Sequence, residues 1–402
     1  MVTYPSDWQE IKIGDTGRVI TGSTPSTNNK YYWGKEYTWI TPTDIDDRVF
    51  MYSSERKLSK QGFEISRQLP PGSVLITCIA SIGKNCILGA VGSCNQQINA
   101  IIPSEEYDSR YIYYLMNFSK DTLENLAGIT ATKILNKKTF ETIKLCVPEL
   151  SEQQAIASVL SDFDEHIDNL SELIEKKKAI RDGALEDLVS GRTRLDGFNG
   201  EWVDIKVGDF LEFKNGLNKG KDFFGTGTPI VNYMDVYKNR GLVKKDIKGK
   251  VNLSLGEIKR FEVRKNDVFF TRTSETPEEV GISSVLLEDI SNCVFSGFIL
   301  RGRPMNKLIS PEYCKFCFST NDVRHDIIKN CTYTTRALTN GNQLSKIVLH
   351  VPFDIKEQEA IAEVLTSLDD EIESLKIEKE KMLQIKEGAM DDLLTGRVRL
   401  KI

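Results

Sequence analysis

The sequence predicts an α+β protein. Two mixed α/β domains are separated by two long antiparallel helices that form a coiled-coil-like spacer, and the whole is a pseudo-twofold internal repeat. Three observations carry this reading. Residues 152–195 and 357–400 align without a gap, about 205 positions apart and identical at roughly half of them. Within each copy, apolar residues recur at alternating spacings of four and three: Ile156, Leu160, Phe163, Ile167, Leu170 and Ile174, then Ile361, Leu365, Leu368, Ile372 and Leu375. A fainter echo precedes each copy, where Trp8-Gln9-Glu10-Ile11-Lys12-Ile13-Gly14-Asp15 matches Trp202-Val203-Asp204-Ile205-Lys206-Val207-Gly208-Asp209.

The elements follow in order. Residues 1–150 form the first mixed block, with short strands at 74–77, 99–102 and 144–147. A helix over 108–118 takes Asp108 as its N-cap. Residues 151–195 are the first spacer segment. Residues 196–354 are the second block, with strands at 268–271, 298–300 and 347–351 and a helix at 311–318 that carries Pro in its first turn. Residues 355–402 are the second spacer segment. Ser151-x-x-Gln154 and Asp354-x-x-Glu357 are capping-box patterns for the two long helices, and Gly191 and Gly396 suit their C′ positions. Gly183 and Gly388, inside the pattern, mark a close helix contact or a local break. Loops rich in Gly, Asn, Thr and Ser fall at 21–29, 78–84 and 271–276.

Composition bounds the class. The chain has 402 residues, 28 % charged and 40 % hydrophobic, which excludes collagen, wholesale disorder and a small disulfide scaffold. No apolar run approaches the ~20 residues of a membrane span, and residues 1–10 lack the features of a secretory signal. The eight Cys are then reduced thiols, which points to the cytoplasm. The net charge of −5 argues at first against nucleic acid. Its distribution weakens that objection. Residues 1–150 are neutral, residues 151–195 carry −4, residues 196–351 carry +4 and residues 352–402 carry −5. The acidity sits in the helical segments.

No catalytic constellation is present. His166, His325 and His350 are far apart in sequence, which disfavours a metal site or a Ser-His-Asp triad. Cys314-x-x-Cys317 is a lone pair that reads as buried helix positions. The sequence has no P-loop and no GxGxxG. Ser310-Pro311-Glu312-Tyr313 lacks the second proline of an amino-methyltransferase motif and reads as a helix start. Two similar helical frames carrying two divergent blocks suggest two reading heads at a fixed separation, each able to enter a DNA major groove.

The chain resembles the specificity subunits of type I restriction–modification systems over its whole length. The resemblance is carried by Val147-Pro148…Glu152-Gln153-Gln154-Ala155-Ile156-Ala157, by Val351-Pro352…Glu357-Gln358-Glu359-Ala360-Ile361-Ala362, and by the repeated Leu-x-x-Gly-Arg ends. In the first block it is also carried by Thr21-Gly22-Ser23-Thr24-Pro25, Trp39-Ile40-Thr41, Ala80-Ser81-Ile82-Gly83-Lys84 and Asn95-Gln96-Gln97-Ile98. The second block departs, with Asn232-Tyr233-Met234-Asp235 and Phe295-Ser296-Gly297-Phe298 near the corresponding places. The resemblance implies two target-recognition domains, each reading half of a split asymmetric site in double-stranded DNA. It implies helices that set the spacer and dock two modification subunits. S-adenosylmethionine would sit on those partners, ATP and Mg on restriction subunits, and no cofactor on this chain. The expected DNA-binding residues are Thr43, Asp44, Ser81, Lys84, Gln96, Gln97, Thr130 and Lys133 in the first domain. In the second they are Asn232, Asp235, Arg272, Thr273, Ser274, Ser296, Thr335 and Arg336. Gln can pair with adenine, and Arg272 and Arg336 can read guanine or hold phosphate. Two rivals stay open at this point: a coiled-coil scaffold with no DNA role, and a methyltransferase fragment.

Overall fold

The computed structural model describes residues 4–127, 133–333 and 335–401. The chain divides into two compact units, Met1–Glu172 with Ile377–Ile402, and Leu173–Lys376. Each unit holds one mixed block and a part of each long helix.

In the first unit the strands of the main sheet and of the parallel pair beside it are β1 (Gly17–Thr21), β2 (Tyr37–Ile40), β3 (Phe50–Met51), β4 (Val74–Thr77), β5 (Asn85–Leu88), β6 (Gly92–Cys94) and β7 (Ile98–Pro103). A five-stranded sheet runs β1-β7-β4-β5-β3. In the second unit they are β8 (Leu211–Asn215), β9 (Phe224–Val231), β10 (Gly241–Leu242), β11 (Val268–Thr271), β12 (Ser283–Leu286), β13 (Val294–Phe295) and β14 (Ile299–Pro304). Its five-stranded sheet runs β8-β14-β11-β12-β10, the same order. The central strands β4 and β11 are buried at every residue and apolar up to a closing threonine, because both faces are covered. Val74 and Ile76 enter one core and Leu75 the other. Val268 and Phe270 enter one core and Phe269 the other. This is the period-two alternation of a strand buried on both sides. Beside each sheet, two strands pair in parallel, β2 with β6 (Ile40 opposite Cys94) and β9 with β13 (Val231 opposite Phe295).

Among the helices are α1 (Ser109–Phe118), α2 (Leu150–Val189), α3 (Pro311–Cys314) and α4 (Ile355–Leu394). Asp108 caps α1, its Oδ1 accepting the amides of Arg110 (2.8 Å) and Tyr111 (3.1 Å). The counterpart α3 is shorter than the expected 311–318. Ser310 caps it and Pro311 opens it, and a second helix follows only at Asn321–Asn330. Cys314 and Cys317 both lie buried in apolar core as expected, but only Cys314 is a helix position, since Cys317 falls in the turn that follows.

Each long helix has 40 residues, about 60 Å at 1.5 Å per residue. Their seam changes partner along its length. Ile156, Ala157 and Leu160 join the core of the first block, and Ile361, Ala362 and Leu365 that of the second. Helix-to-helix contact follows, antiparallel within each unit. In the second unit Lys177 pairs with Glu371 at 2.6 Å and Arg181 with Asp369. In the first, Lys386 pairs with Asp164 and His166 approaches Glu378 at 3.9 Å.

The first helix begins at Leu150, so Ser151 lies inside its first turn and does not cap it. Asp354 does cap α4, its Oδ1 accepting the Lys356 amide at 2.9 Å. The repeated Glu-Gln that follows each helix start is instead structural. Gln153 donates to the Pro148 carbonyl (2.9 Å) and accepts from the Asp108 amide (3.1 Å). Gln358 donates to the Pro352 carbonyl (2.8 Å) and accepts from the Ser310 amide (2.8 Å). Each glutamine thus ties a long helix to the cap of α1 or α3. Buried Glu357 receives both arms of Arg194, at 2.9 and 2.6 Å, and buried Glu152 receives Arg399. Both helices end in left-handed glycines, Gly191 (φ 72°) and Gly396 (φ 69°). The Thr193 amide reaches back to the Asp187 carbonyl and the Val398 amide to that of Asp392, which closes the last turn. Gly183 and Gly388 mark neither a contact nor a break. The helices run through them, and a Cβ added there would meet nothing within 4 Å.

Candidate nucleic-acid interface

A lattice of backbone hydrogen bonds gathers the loops of the first block at the C-terminal ends of β2, β4 and β6. The Asn95 amide donates to the Ile40 carbonyl at 2.9 Å, the Cys78 amide to Gln97 at 2.8 Å, and the Leu135 amide to Cys78 at 2.8 Å. The second block repeats the lattice with other side chains, at the ends of β9, β11 and β13. The Ser296 amide donates to Val231 (2.9 Å), Arg272 to Phe298 (3.0 Å) and Thr339 to Arg272 (2.9 Å). The register therefore equates Asn95 with Ser296, Gln97 with Phe298 and Cys78 with Arg272. A glycine closes each lattice from below. A Cβ at Gly22 or Gly216 would stand 2.1 Å from the carbonyl oxygen of Asn95 or Ser296.

The turns after β2 and β9 are also alike. Asp44 Oδ2 accepts the Thr41 amide at 2.8 Å, and Asp235 Oδ2 accepts the Asn232 amide at 2.8 Å. The other oxygen of Asp44 accepts the Glu55 amide at 2.8 Å, so this carboxylate holds loops together. Burial pushes the Asp235 carboxyl up, with Asp246 adding to the shift and the Asn232 amide opposing it.

In the first block Thr43, Ser81, Lys84, Gln96 and Lys133 are exposed at this end, and Asp44 and Gln97 are half-buried. Gln96 accepts the Thr24 hydroxyl. Gln97 accepts from Asn95 Nδ2 at 2.9 Å, which fixes its carboxamide oxygen. Lys133 lies 3.7 Å from Glu124, and its carbonyl accepts the Ala80 amide. Thr130 lies outside the described residues. Cys78, at the centre of the lattice, is buried, and that burial pushes its thiol up to about 11.

In the second block Arg272 takes that central place. Its Nη1 donates to the Gly297 carbonyl at 3.3 Å, and its Nε is buried without a partner among the described residues. Thr273 is half-buried. Ser274 is nearly buried and bonded to Glu279. The Ser296 hydroxyl, buried as well, accepts the Phe298 amide at 3.4 Å. Asn232 is half-buried, and Thr335 and Arg336 are exposed, with Arg336 3.8 Å from Glu275. Tyr233, Thr273, Ser274, Glu275, Glu279, Phe298 and Arg336 line an open cleft of about 320 Å³. Sequence reasoning misses Tyr233 and Phe298. Aligning Asn95-Gln96-Gln97-Ile98 with Ser296-Gly297-Phe298-Ile299 would have found the latter. Elsewhere in the second block Lys244, Lys245, Lys248, Lys250, Lys259, Arg260, Arg264 and Lys265 are each exposed. No group of His, Cys, Asp or Glu among the described residues could hold a metal ion. No helix among them is long and apolar enough to cross a membrane.

Residues 5–178 and 199–384 each match the family described as Type I restriction modification DNA specificity domain. The chain therefore belongs to that family and carries its domain twice. It is a type I restriction–modification specificity subunit, the non-catalytic DNA-recognition component of such a complex. Among relatives, the MjaIX specificity subunit of Methanocaldococcus jannaschii is 30 % identical over 70 % of this chain and 69 % of that protein. The MjaVIII specificity subunit of the same organism is 24 % identical over 99 % of this chain and 94 % of its own length. The fold is similar to the crystal structure of a type I S subunit from M. genitalium, with TM-score 0.57, 15 % identity and coverage of 100 % and 98 %. It is also similar to a chain from a structural study of type I complex assembly, with TM-score 0.64, 12 % identity and coverage of 98 % and 100 %.

Proposed function

We propose that residues 1–150 and 196–354 are target-recognition domains, each reading one half of a bipartite asymmetric DNA site. Residues 151–195 and 355–402 then set the spacer and dock two modification subunits. The observation that carries this reading is the shared loop lattice presented with different side chains: Gln97 against Phe298, Cys78 against Arg272, Thr43 against Met234. A common frame with exchanged tips suits reading different base edges. In the first domain Thr43, Ser81, Gln96 and Gln97 face bases, while Lys84, Thr130 and Lys133 meet the backbone. Asp44 shapes their loop. In the second domain Asn232, Arg272, Thr273, Thr335 and Arg336 make the contacts, and Asp235, Ser274 and Ser296 hold them in place. S-adenosylmethionine belongs on the modification subunits, and ATP and Mg on restriction subunits, in a cytoplasmic complex.

A neutral first domain and acidic helices outweigh the basic second domain and leave this chain little net phosphate attraction of its own. In a band-shift experiment on the methylated site, the chain alone should bind weakly and lose that binding as salt rises. With its modification subunits it should bind tightly and specifically. Complexes that bind all duplexes alike would contradict the proposal.

A further inference from the structure

We infer that Phe298 is a specificity-determining residue that reads a thymine, by packing its ring against the base's 5-methyl group in the major groove. The inference rests on the DNA-reading function proposed above and gives it a chemistry at one position.

Phe298 is 63 % exposed, although a phenyl ring left in water forgoes the burial that drives folding. It is not held loosely. Its amide donates to Ser296 Oγ, and its carbonyl accepts the Arg272 amide at 3.0 Å. The preceding Gly297 amide is bonded to the Leu217 carbonyl at 2.7 Å, and the following Ile299 is fully buried. The turn therefore fixes the ring outward. Gln97 stands at the same place in the first block. Its amide donates to Asn95 Oδ1 at 3.0 Å, and its carbonyl accepts the Cys78 amide. One backbone position thus carries a carboxamide in one block and a bare ring in the other. A carboxamide there meets hydrogen-bonding groups on a base edge. The apolar group that the major groove offers a ring in that place is the thymine methyl. The cleft around it is polar and mixed in charge: Arg336, Thr273, Glu275 and Glu279 share it with Phe298, and the Arg272 guanidinium lies against Gly297.

The test uses the complex of this chain with its modification subunits, on duplexes carrying its mapped site. Each thymine is replaced in turn by deoxyuridine, which removes the methyl and leaves the pairing edge intact. Wild type should lose about three- to tenfold in affinity at one thymine, in one half-site only, as expected for a single methyl contact. Phe298→Ala should bind the thymine duplex more weakly by the same factor and no longer distinguish thymine from uracil there. Phe298→Leu should keep part of the preference. Equal thermal unfolding of the variants excludes a folding defect. Wild-type affinity unchanged at every uridine, or an Ala variant that still prefers thymine, would overturn the inference. Failure of wild type to prefer its mapped site at all would instead overturn the DNA-reading proposal.

Discussion

Glu357 has no exposed surface, and a buried carboxylate is tolerable only with a partnered charge. Arg194 supplies that partner with both arms, and Trp202 Nε1 adds a bond at 3.3 Å. Arg194→Ala should destabilise the chain by about 3–5 kcal/mol in chemical denaturation. Adding Glu357→Gln should restore part of that loss, because the stranded charge is then gone. The Glu-Gln repeat is legible in the sequence, but its role is not. The partner of Glu152 is Arg399, near the far end of the chain, and spacing alone does not join them. At the reading end, Arg272→Ala should cost about 1–3 kcal/mol of binding to the specific site and much less to unrelated duplexes. Titration of both duplexes at one salt concentration measures the difference. An equal loss on both would make Arg272 a phosphate contact. Asp44, Ser274 and Ser296 stand out in the sequence as polar side chains in loops. In the structure those side chains bond inward, because loops that hold a fixed shape need internal acceptors and donors of the same residue types.

Among elements, the strands and long helices are the most legible, because both rest on apolar periodicity. The strands at 74–77, 144–147 and 268–271 fall where the sequence places them. The helix expected over 311–318 stops at Cys314, where burial of Phe316 and Phe318 in the core sets the chain's path in place of helical propensity. The two long helices start at equivalent positions of the repeat, Leu150 and Ile355; Asp354 stands just before the second start and caps it, whereas Ser151 lies one residue inside the first. Gly183 and Gly388 interrupt the apolar pattern as a contact or a break would, but each stands in open space on a continuous helix. Glycine there costs helix stability without a packing reason. Gly183→Ala and Gly388→Ala should therefore each raise stability by about 0.5–1 kcal/mol, read as a shift of the denaturation midpoint. A loss of stability would mean that the helix is less regular at these points than described.

At the scale of the whole molecule, the gapless repeat makes the duplicated architecture legible in the sequence alone. Each compact unit nevertheless takes parts of both long helices, so the units are not the linear segments of the sequence. That exchange is hidden, because contacts between residues hundreds of positions apart leave no mark on local patterning. The net charge of −5 is the observation that most opposes DNA recognition, and it reflects the helices, while residues 196–351 are net basic. The proposed function requires two heads that read DNA independently of each other. Mapping the methylated bases across a genome checks this, in cells whose specificity subunit has residues 1–150 exchanged for those of another family member. A new sequence should appear in one half of the methylated site, with the other half and the spacer unchanged. A site altered in both halves would contradict it.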